Sequence, residues 1–244
     1  HVAALNGHES VARLLLERRA SINAVAKDYE TSLHVAALNG HESIARLLLD
    51  RGASINAVAK DNWTSLHIAA QNGHESVARL LLERRASIAI ANQNQATPLH
   101  VAASNGHESV ARLLLERGAS INAVGKDNWT SLHFAALNGH ESVARLLLGR
   151  GADATIQSVR QYPCCHSHTE SISLTPSLTQ TVSSARGTAA QVAKTPSLKR
   201  LIGASLSLSL SLSLSLECDI MTHNHNNSIS SSTTIRITNN HRDG

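Results

Sequence analysis

A 33-residue period constrains this chain more than any other feature of its sequence. The first residue of each copy is a histidine, and these histidines lie at His1, His34, His67, His100 and His133. The blocks 34–66 and 100–132 differ at only four of 33 positions. A period of 20–50 residues indicates stacked repeats, each of which buries its apolar face against its neighbours. We therefore predict a repeat array over residues 1–156 and a separate segment over 157–244.

Each copy predicts two short helices followed by a polar loop. Thr31 can cap the first helix, over 32–38, because a threonine hydroxyl accepts a hydrogen bond from a free helical N–H. The second helix runs from about residue 41 to 51 and carries one apolar face, formed by Ile44, Leu47 and Leu48. Only 2% of the residues are aromatic, so alanine and leucine must fill the core and the helices must pack closely.

Charged pairs repeat with the same period on the second helices. In the second to fifth copies a glutamate stands four residues before an arginine, an order that stabilises a helix by about 0.2–0.5 kcal/mol. The predicted pairs are Glu42–Arg46, Glu75–Arg79, Glu108–Arg112 and Glu141–Arg145.

The chain resembles the ankyrin-repeat family. The motif Thr-Pro-Leu-His-x-Ala of that family stands intact at residues 97–102, and Thr-Ser-Leu-His replaces its first four residues at 31–34, 64–67 and 130–133. Asn-Gly-His and then Leu-Leu-Leu follow in each copy. The resemblance implies an all-α ankyrin-repeat solenoid of helix-turn-helix units with β-hairpin-like loops. It covers five copies over residues 1–156, the first and last incomplete.

Several residues depart from the family pattern at positions that favour a left-handed backbone. Arg19 and Arg85 replace the glycine that normally ends the second helix. Tyr29 and Gln95 stand at a loop position where other copies carry asparagine, which tolerates a positive φ better. We expect backbone strain of about 1 kcal/mol at such residues.

The fifth copy carries no polar substitutions on the apolar face of its second helix. Terminal repeats normally need a polar outer face, and here the sequence keeps Val143, Leu146 and Leu147. We expect these side chains to point outward, and we therefore predict that the C-terminal end of the array is frayed or lacks a capping repeat.

Residues 157–244 are a different kind of sequence. They contain 28 serine and threonine residues among 88 and no 33-residue echo, and this composition favours a low-complexity, disordered tail. Within it, 205–216 is a strict Ser-Leu alternation. The alternation fits a β-strand with a leucine face, or a (CT)n dinucleotide tract that has been translated without selection for structure.

Net charge, cysteine positions and the lack of a long apolar run indicate which classes of partner to expect. Residues 1–156 hold 15 Lys/Arg and 14 Asp/Glu, a net charge of +1, so a nucleic-acid partner is not expected. All three cysteines lie beyond residue 156, which excludes a disulfide framework for the repeats. The sequence has no run of about 18 apolar residues, so we expect no membrane partner. We also expect the protein to be intracellular, either cytoplasmic or nuclear, and monomeric.

Neither catalysis nor a metal or cofactor site is predicted. The phosphate-binding, nucleophile-elbow and zinc-protease motifs are missing. Ten of the fifteen histidines recur with the repeat, and the resemblance implies that they hydrogen-bond loops to helices. Residues 164–168 (Cys-Cys-His-Ser-His) are the only Cys/His cluster, and adjacent cysteines chelate zinc poorly.

Recognition of a protein partner is therefore the predicted function. The resemblance implies that partners are held by the loop tips and by the concave face of the first helices. The tip residues are Lys27, Asp28, Tyr29, Glu30, Lys60, Asp61, Trp63, Gln93, Asn94, Lys126, Asp127 and Trp129. The variable first-helix positions are Leu5, Leu38, Gln71, Ser104 and Leu137.

Exposed tryptophans would suit an interface. We therefore expect that replacing Trp63 and Trp129 by alanine abolishes binding and leaves the melting temperature nearly unchanged.

Two other functional interpretations stay open at this point. Because the sequence starts at His1, inside a repeat, the chain can be the regulatory ankyrin segment of a larger protein that carries a catalytic or NTPase part. Near-identical copies and the Ser-Leu tract also fit a degenerate or mispredicted product without a maintained function.

Overall fold

The computed structural model describes residues 1–159 and 188–206. Five helix pairs, here called repeats 1 to 5, occupy the first of these ranges. They are α1 (Val2–Leu5) with α2 (Glu9–Glu17), α3 (Ser32–Asn39) with α4 (Glu42–Asp50), α5 (Ser65–Asn72) with α6 (Glu75–Glu83), α7 (Pro98–Asn105) with α8 (Glu108–Glu116), and α9 (Ser131–Asn138) with α10 (Glu141–Gly149). The predicted helix-pair solenoid is confirmed.

The first helix of a repeat begins at a reciprocal threonine–histidine cap. In repeat 3 the Thr64 hydroxyl accepts from the backbone N–H of His67 at 3.4 Å, and the Thr64 N–H donates to Nδ1 of the same histidine at 3.3 Å. Both groups would otherwise lack a helical partner. The helix ends at Gly73, whose φ of +73° is left-handed. The predicted threonine caps are confirmed.

The second helices carry the predicted ion pairs on their outer surface. The Arg46–Glu42 and Arg79–Glu75 contacts measure 2.6 and 2.5 Å, and the pairs on α8 and α10 are also formed. These side chains are about half exposed, so each pair adds only a few tenths of a kcal/mol.

The apolar face of each second helix points toward the preceding repeat. In α6, Val77, Leu80 and Leu81 are 0%, 2% and 0% exposed. Helix α2 has the same sequence, ESVARLLLE, but no helix pair among the described residues precedes repeat 1, and the equivalent side chains of α2 are about half exposed. The covered face is therefore the one that meets the previous helix pair.

This orientation corrects the expectation about the C-terminal end. Val143, Leu146 and Leu147 are 0%, 8% and 0% exposed, because repeat 4 covers them. The prediction that they point outward is wrong, and the uncovered apolar face lies on repeat 1 instead.

Two further helices cover the other side of repeat 5. Helix α11 (Ala189–Val192) packs against α9, and α12 (196–206) follows it, with Leu198 and Ile202 fully buried. The Lys194 N–H donates to the Ala136 carbonyl at 3.3 Å, and the Ser197 hydroxyl donates to Glu141 at 3.3 Å. Composition predicts that these residues belong to the tail, whereas in the structure residues 188–205 belong to the same compact unit as the repeats.

The sequence contains a helix-start signal and an apolar spacing at α12. Thr195 accepts from the Leu198 N–H at 3.3 Å, Pro196 stands at the first helical position, and Leu198 and Ile202 are four residues apart. This spacing does not follow the 33-residue period, so the period does not predict these two helices. The predicted disorder of the rest of the tail, and nearly all of the Ser-Leu alternation, lie outside the described residues.

Candidate partner-binding surface

The loops between repeats are narrow hairpins whose tips are left-handed. In the hairpin before α5, the Ala59 N–H donates to the Trp63 carbonyl at 2.8 Å. Between them, Asp61 and Asn62 have φ values of +59° and +60°. Two consecutive positive φ angles make a tight hairpin turn, which aspartate and asparagine tolerate. Such a turn projects its side chains away from the helices.

Neighbouring hairpins are tied together through the backbone. The Gln93 N–H donates to the Asp61 carbonyl at 2.9 Å, and the Lys126 N–H donates to the Asn94 carbonyl at 3.0 Å. The Val159 N–H donates in the same way to the Asp127 carbonyl at 2.8 Å. These bonds fix the register of the tips from Asp61 onward, so their backbones form a preorganised row. The first tip is linked to the second by the contact of Asp28 with Lys60 at 3.8 Å.

The structure exposes most of the predicted site residues. The exposed ones are Lys27, Asp28, Tyr29, Leu38, Lys60, Asp61, Gln71, Gln93, Asn94 and Lys126. Those of intermediate exposure are Glu30, Trp63, Ser104, Asp127 and Leu137. The tip at Gln93 and Asn94 carries no charged side chain, and it lies between two tips that each carry a lysine and an aspartate.

Trp129 is not an exposed tip residue. Its side chain is 4% exposed, and its ring lies 5.6 Å from the His133 ring and 5.1 Å from the Phe134 ring. The expectation of an exposed tryptophan is wrong here, because Phe134 replaces the smaller side chains of the other repeats and packs against it. Trp63 rests in a similar way on His67 at 5.8 Å and is half-buried.

Tyr29 is the exposed aromatic residue of the tips. It is 70% exposed and has a φ of +62°. Asn62 and Asn128 hold the equivalent position in two later repeats with nearly the same φ. A tyrosine in this conformation is strained by about 1 kcal/mol, and residues that keep such strain cluster at binding sites.

The recurring first-helix histidines have a structural role. His67 is fully buried, its Nδ1 lies 2.8 Å from the Thr64 hydroxyl, and its Nε2 donates to the Ala96 carbonyl at 3.1 Å. Burial lowers the pKa of His67 to about 4 and also lowers the pKa values of His34 and His100. Both nitrogens of such a ring are engaged in holding a loop to a helix, and the neutral form is favoured.

A second histidine in each repeat joins it to the repeat before. The Nε2 atom of His74 donates to the Leu38 carbonyl at 3.0 Å, and the ring lies against Gly40. A Cβ atom on Gly40 would come within 2.6 Å of this ring, and the φ of +71° also disfavours a side chain. The Asn-Gly-His motif is therefore an inter-repeat contact.

No group of three potential metal ligands occurs within residues 1–159 and 188–206. The Cys-Cys-His-Ser-His cluster at 164–168 and Cys218 lie outside these ranges. The same ranges contain no helix long and apolar enough to span a membrane.

Comparison with known protein families agrees with this geometry. The family model for ankyrin repeats, which spans three copies, matches residues 1–92 and 86–158. No curated protein matches the chain. Repeats of this family are generally protein–protein interaction modules and are typically non-catalytic. The matched residues make up more than half of the chain and coincide with the five stacked helix pairs, and the chain belongs to the ankyrin-repeat family.

Proposed function

We propose that this chain is a non-catalytic recognition module that holds a protein partner along its hairpin tips and the C-terminal ends of its first helices. The observation that carries the proposal is Tyr29, an aromatic side chain that is 70% exposed at a backbone position with a φ of +62°. Tyrosine is enriched at interface hot spots because it buries a large area with few rotatable bonds.

Two features of the tips support this role. Backbone hydrogen bonds hold the tips from Asp61 onward in one register, which lowers the ordering entropy lost on binding. Their charges are mixed in sign, with Lys60 lying 3.8 Å from Asp28 across two tips. Alternating lysine and aspartate side chains suit a protein surface better than a polyanion, in line with the net charge of +1 over residues 1–156.

The variable first-helix positions form a row whose polarity changes along the array. Leu38 is 42% exposed, Gln71 is exposed, and Ser104 is of intermediate exposure. The N-terminal half of this row is therefore apolar and the middle polar. We infer that Tyr29 and Leu38 form the apolar part of the contact and that Gln71 and the tip at Asn94 form the polar part.

The test uses the full-length chain as an affinity bait and the double variant Tyr29→Asn/Leu38→Gln. Both replacements already occur at equivalent positions of this chain, at Asn62 and Gln71, so the fold is expected to tolerate them. The control is Glu42→Gln on the outer surface of α4. Quantitative mass spectrometry should show proteins that the wild-type chain and the control retain and the double variant loses.

The double variant should melt at or slightly above the wild-type temperature, because asparagine relieves the strain at residue 29. Equal retention of every captured protein by the double variant and the wild-type chain would contradict the proposal.

A further inference from the structure

Two of the repeats carry a pair of arginines shortly before a serine. Residues 84–88 have the sequence Arg-Arg-Ala-Ser-Ile, and residues 18–22 have the same sequence. The equivalent segments 51–55 and 117–121 have the sequence Arg-Gly-Ala-Ser-Ile. The arginine pair therefore arises where arginine replaces the left-handed glycine after a second helix. Of the two arginine-pair segments, 84–88 lies in the interior of the array, with a helix pair on each side.

Arg85 occupies a backbone position that suits glycine. Its φ is +66°, and the equivalent Gly52 and Gly118 have φ values of +87° and +88°. A residue with a side chain in this region is strained by roughly 1 kcal/mol. An extended backbone relieves this strain, so the strain lowers the free energy needed to draw residues 84–88 away from the end of α6.

The loop after Ser87 is held by fewer backbone hydrogen bonds than the loops after the equivalent serines. The carbonyls of Ser21, Ser54 and Ser120 each accept from the N–H three residues later, at 3.2–3.4 Å. Ile90 does not make this bond to Ser87. The segment on the C-terminal side of Ser87 is therefore freer to extend than its counterparts.

The arginine pair is presented on the surface. Arg84 and Arg85 are exposed, and Ser87 is of intermediate exposure. Arg84 forms an ion pair with Asp50 of the preceding repeat at 2.7 Å. A pair between exposed groups contributes at most about 1 kcal/mol, so another carboxylate can take the place of Asp50 at a small cost. The Ser87 N–H donates to the Asn56 side chain at 2.9 Å, and this bond must also open.

We propose that Ser87 is a phosphoacceptor for an arginine-directed serine protein kinase. Protein kinases select substrates partly by the charge pattern around the acceptor hydroxyl. Guanidinium groups three and two residues before the serine suit a cleft lined by carboxylates, because arginine binds a carboxylate through two hydrogen bonds. The site is separate from the hairpin tips and does not depend on the proposed function.

The reaction is a phosphoryl transfer from ATP. The Ser87 Oγ forms a bond to the γ-phosphorus, and the bond from that phosphorus to the bridging oxygen of the β-phosphate breaks, so that ADP leaves. The hydroxyl proton passes to a carboxylate of the kinase.

Phosphorylation would reverse the charge of this segment. Residues 83–87 contain one glutamate and two arginines, a net charge of +1, and a phosphoserine adds about −1.5 to −2 at neutral pH. The new anion would compete with Asp50 for Arg84. The modification therefore acts at the junction between repeats 2 and 3.

The test uses the folded full-length chain with Ser21→Ala, so that residues 84–87 are its only Arg-Arg-Ala-Ser segment. The probe is the purified catalytic subunit of cyclic-AMP-dependent protein kinase, an arginine-directed enzyme, with ATP and Mg²⁺. Mass spectrometry measures the phosphate on each serine with time. Ser87 should be modified at least about tenfold faster than Ser54 and Ser120, which follow Arg-Gly.

Exchanging the residue at the left-handed position should move the acceptor. Arg85→Gly should slow modification of Ser87 at least about tenfold and should keep or raise the melting temperature, because glycine is unstrained there. Gly118→Arg creates an Arg-Arg-Ala-Ser segment and should make Ser120 an acceptor. A Cβ atom on Gly118 meets no atom within 4 Å, so the fold is expected to tolerate this variant.

Asp50→Asn provides a further readout. It releases Arg84 from its ion pair without changing the acceptor segment, and it should raise the rate at Ser87 by about two- to threefold.

Several results would overturn the proposal. The folded chain could remain unmodified at Ser87 while a synthetic peptide of residues 80–92 is phosphorylated, which would show that the fold protects the serine. Ser54 and Ser120 could react as fast as Ser87, or Arg85→Gly could leave the rate at Ser87 unchanged, and either result would remove the arginine pair as the determinant.

Discussion

The two ends of the array present opposite surfaces, although the repeats that form them are near copies. At the C-terminal end α11 packs on α9 of repeat 5, Ser197 of α12 hydrogen-bonds to Glu141 of α10, and Leu198 and Ile202 of α12 are fully buried. At the N-terminal end α2 keeps the sequence ESVARLLLE of the interior helix α6, yet its leucines are about half exposed. Identical helices therefore differ in burial solely through their neighbours, as nearest-neighbour models of repeat proteins require.

The largest effect is expected from a substitution in the helices that cover repeat 5. Leu198→Asp places a charge at a position that is 0% exposed and should destabilise the docking of α11 and α12 by about 3 kcal/mol or more. Hydrogen exchange of α9 and α10 should accelerate accordingly. Lys199→Asp, on the exposed side of α12, is the control and should have little effect. An equal loss in both variants would show that the cap is not held by its buried side chains.

A pair of identical substitutions compares the open end with the interior. Leu81→Ala removes a side chain that is 0% exposed and should lower the free energy of unfolding by about 2–5 kcal/mol. Leu15→Ala, in the same local sequence, removes one that is 48% exposed and should lower it by about 1 kcal/mol. Urea denaturation measures both. Similar losses would mean that repeat 1 is covered in solution.

The buried first-helix histidines of the interior repeats should make the free energy of unfolding fall at acidic pH. Burial lowers the pKa of His67 from its ordinary 6.5 to about 4, so the folded state binds fewer protons than the unfolded state between these values. The stabilisation is complete above pH 6.5 and is lost as the pH falls toward 4, by roughly 3 kcal/mol for this residue. The melting temperature should be flat between pH 7 and 8 and fall below pH 6.

A variant checks the origin of this acid sensitivity. In His67→Gln the side chain cannot be protonated, so the melting temperature should start lower at pH 7 and decline less toward pH 4.5. A decline as steep as that of the wild-type chain would assign the acid sensitivity to other groups.

The smallest effect concerns the first residue of the first helices. The Ser131 hydroxyl is buried without a hydrogen-bond partner among the described residues, and repeat 4 carries Pro98 at the equivalent position. Ser131→Pro should raise stability by about 0.5–1 kcal/mol, because it removes this group and rigidifies the unfolded chain. Ser32→Pro, near the open end, replaces a half-exposed hydroxyl and should gain less. Calorimetry that ranks the two in the reverse order would contradict this explanation.

Local structure was predictable because it depends on residues that are close in sequence. The threonine caps, the helix ends at Asn39 and Gly40, and the four ion pairs all follow from spacings of three or four residues. The positive φ angles of Arg19, Arg85 and Tyr29 follow from the glycine or asparagine that other copies carry at those positions.

Burial was harder to predict because it depends on which repeat covers which face. The period alone does not state whether Val143 faces forward or backward, and the structure shows that it faces repeat 4. Trp129 occupies a tip position in the sequence, but Phe134 on the next helix gives it a ring to pack against. The cap at 188–206 was missed because its two helices are spaced unlike the repeats.

The histidine links between repeats have a consequence for how this family can change over time. Each link ends on a main-chain carbonyl, at Leu5, Leu38, Gln71 and Ser104 in turn. The bond is the same for leucine, glutamine or serine, since the side chain takes no part in it. A substitution at any of these positions can therefore change the side chain without removing the hydrogen bond, so that the surface of a repeat and its contact with the next repeat can vary independently.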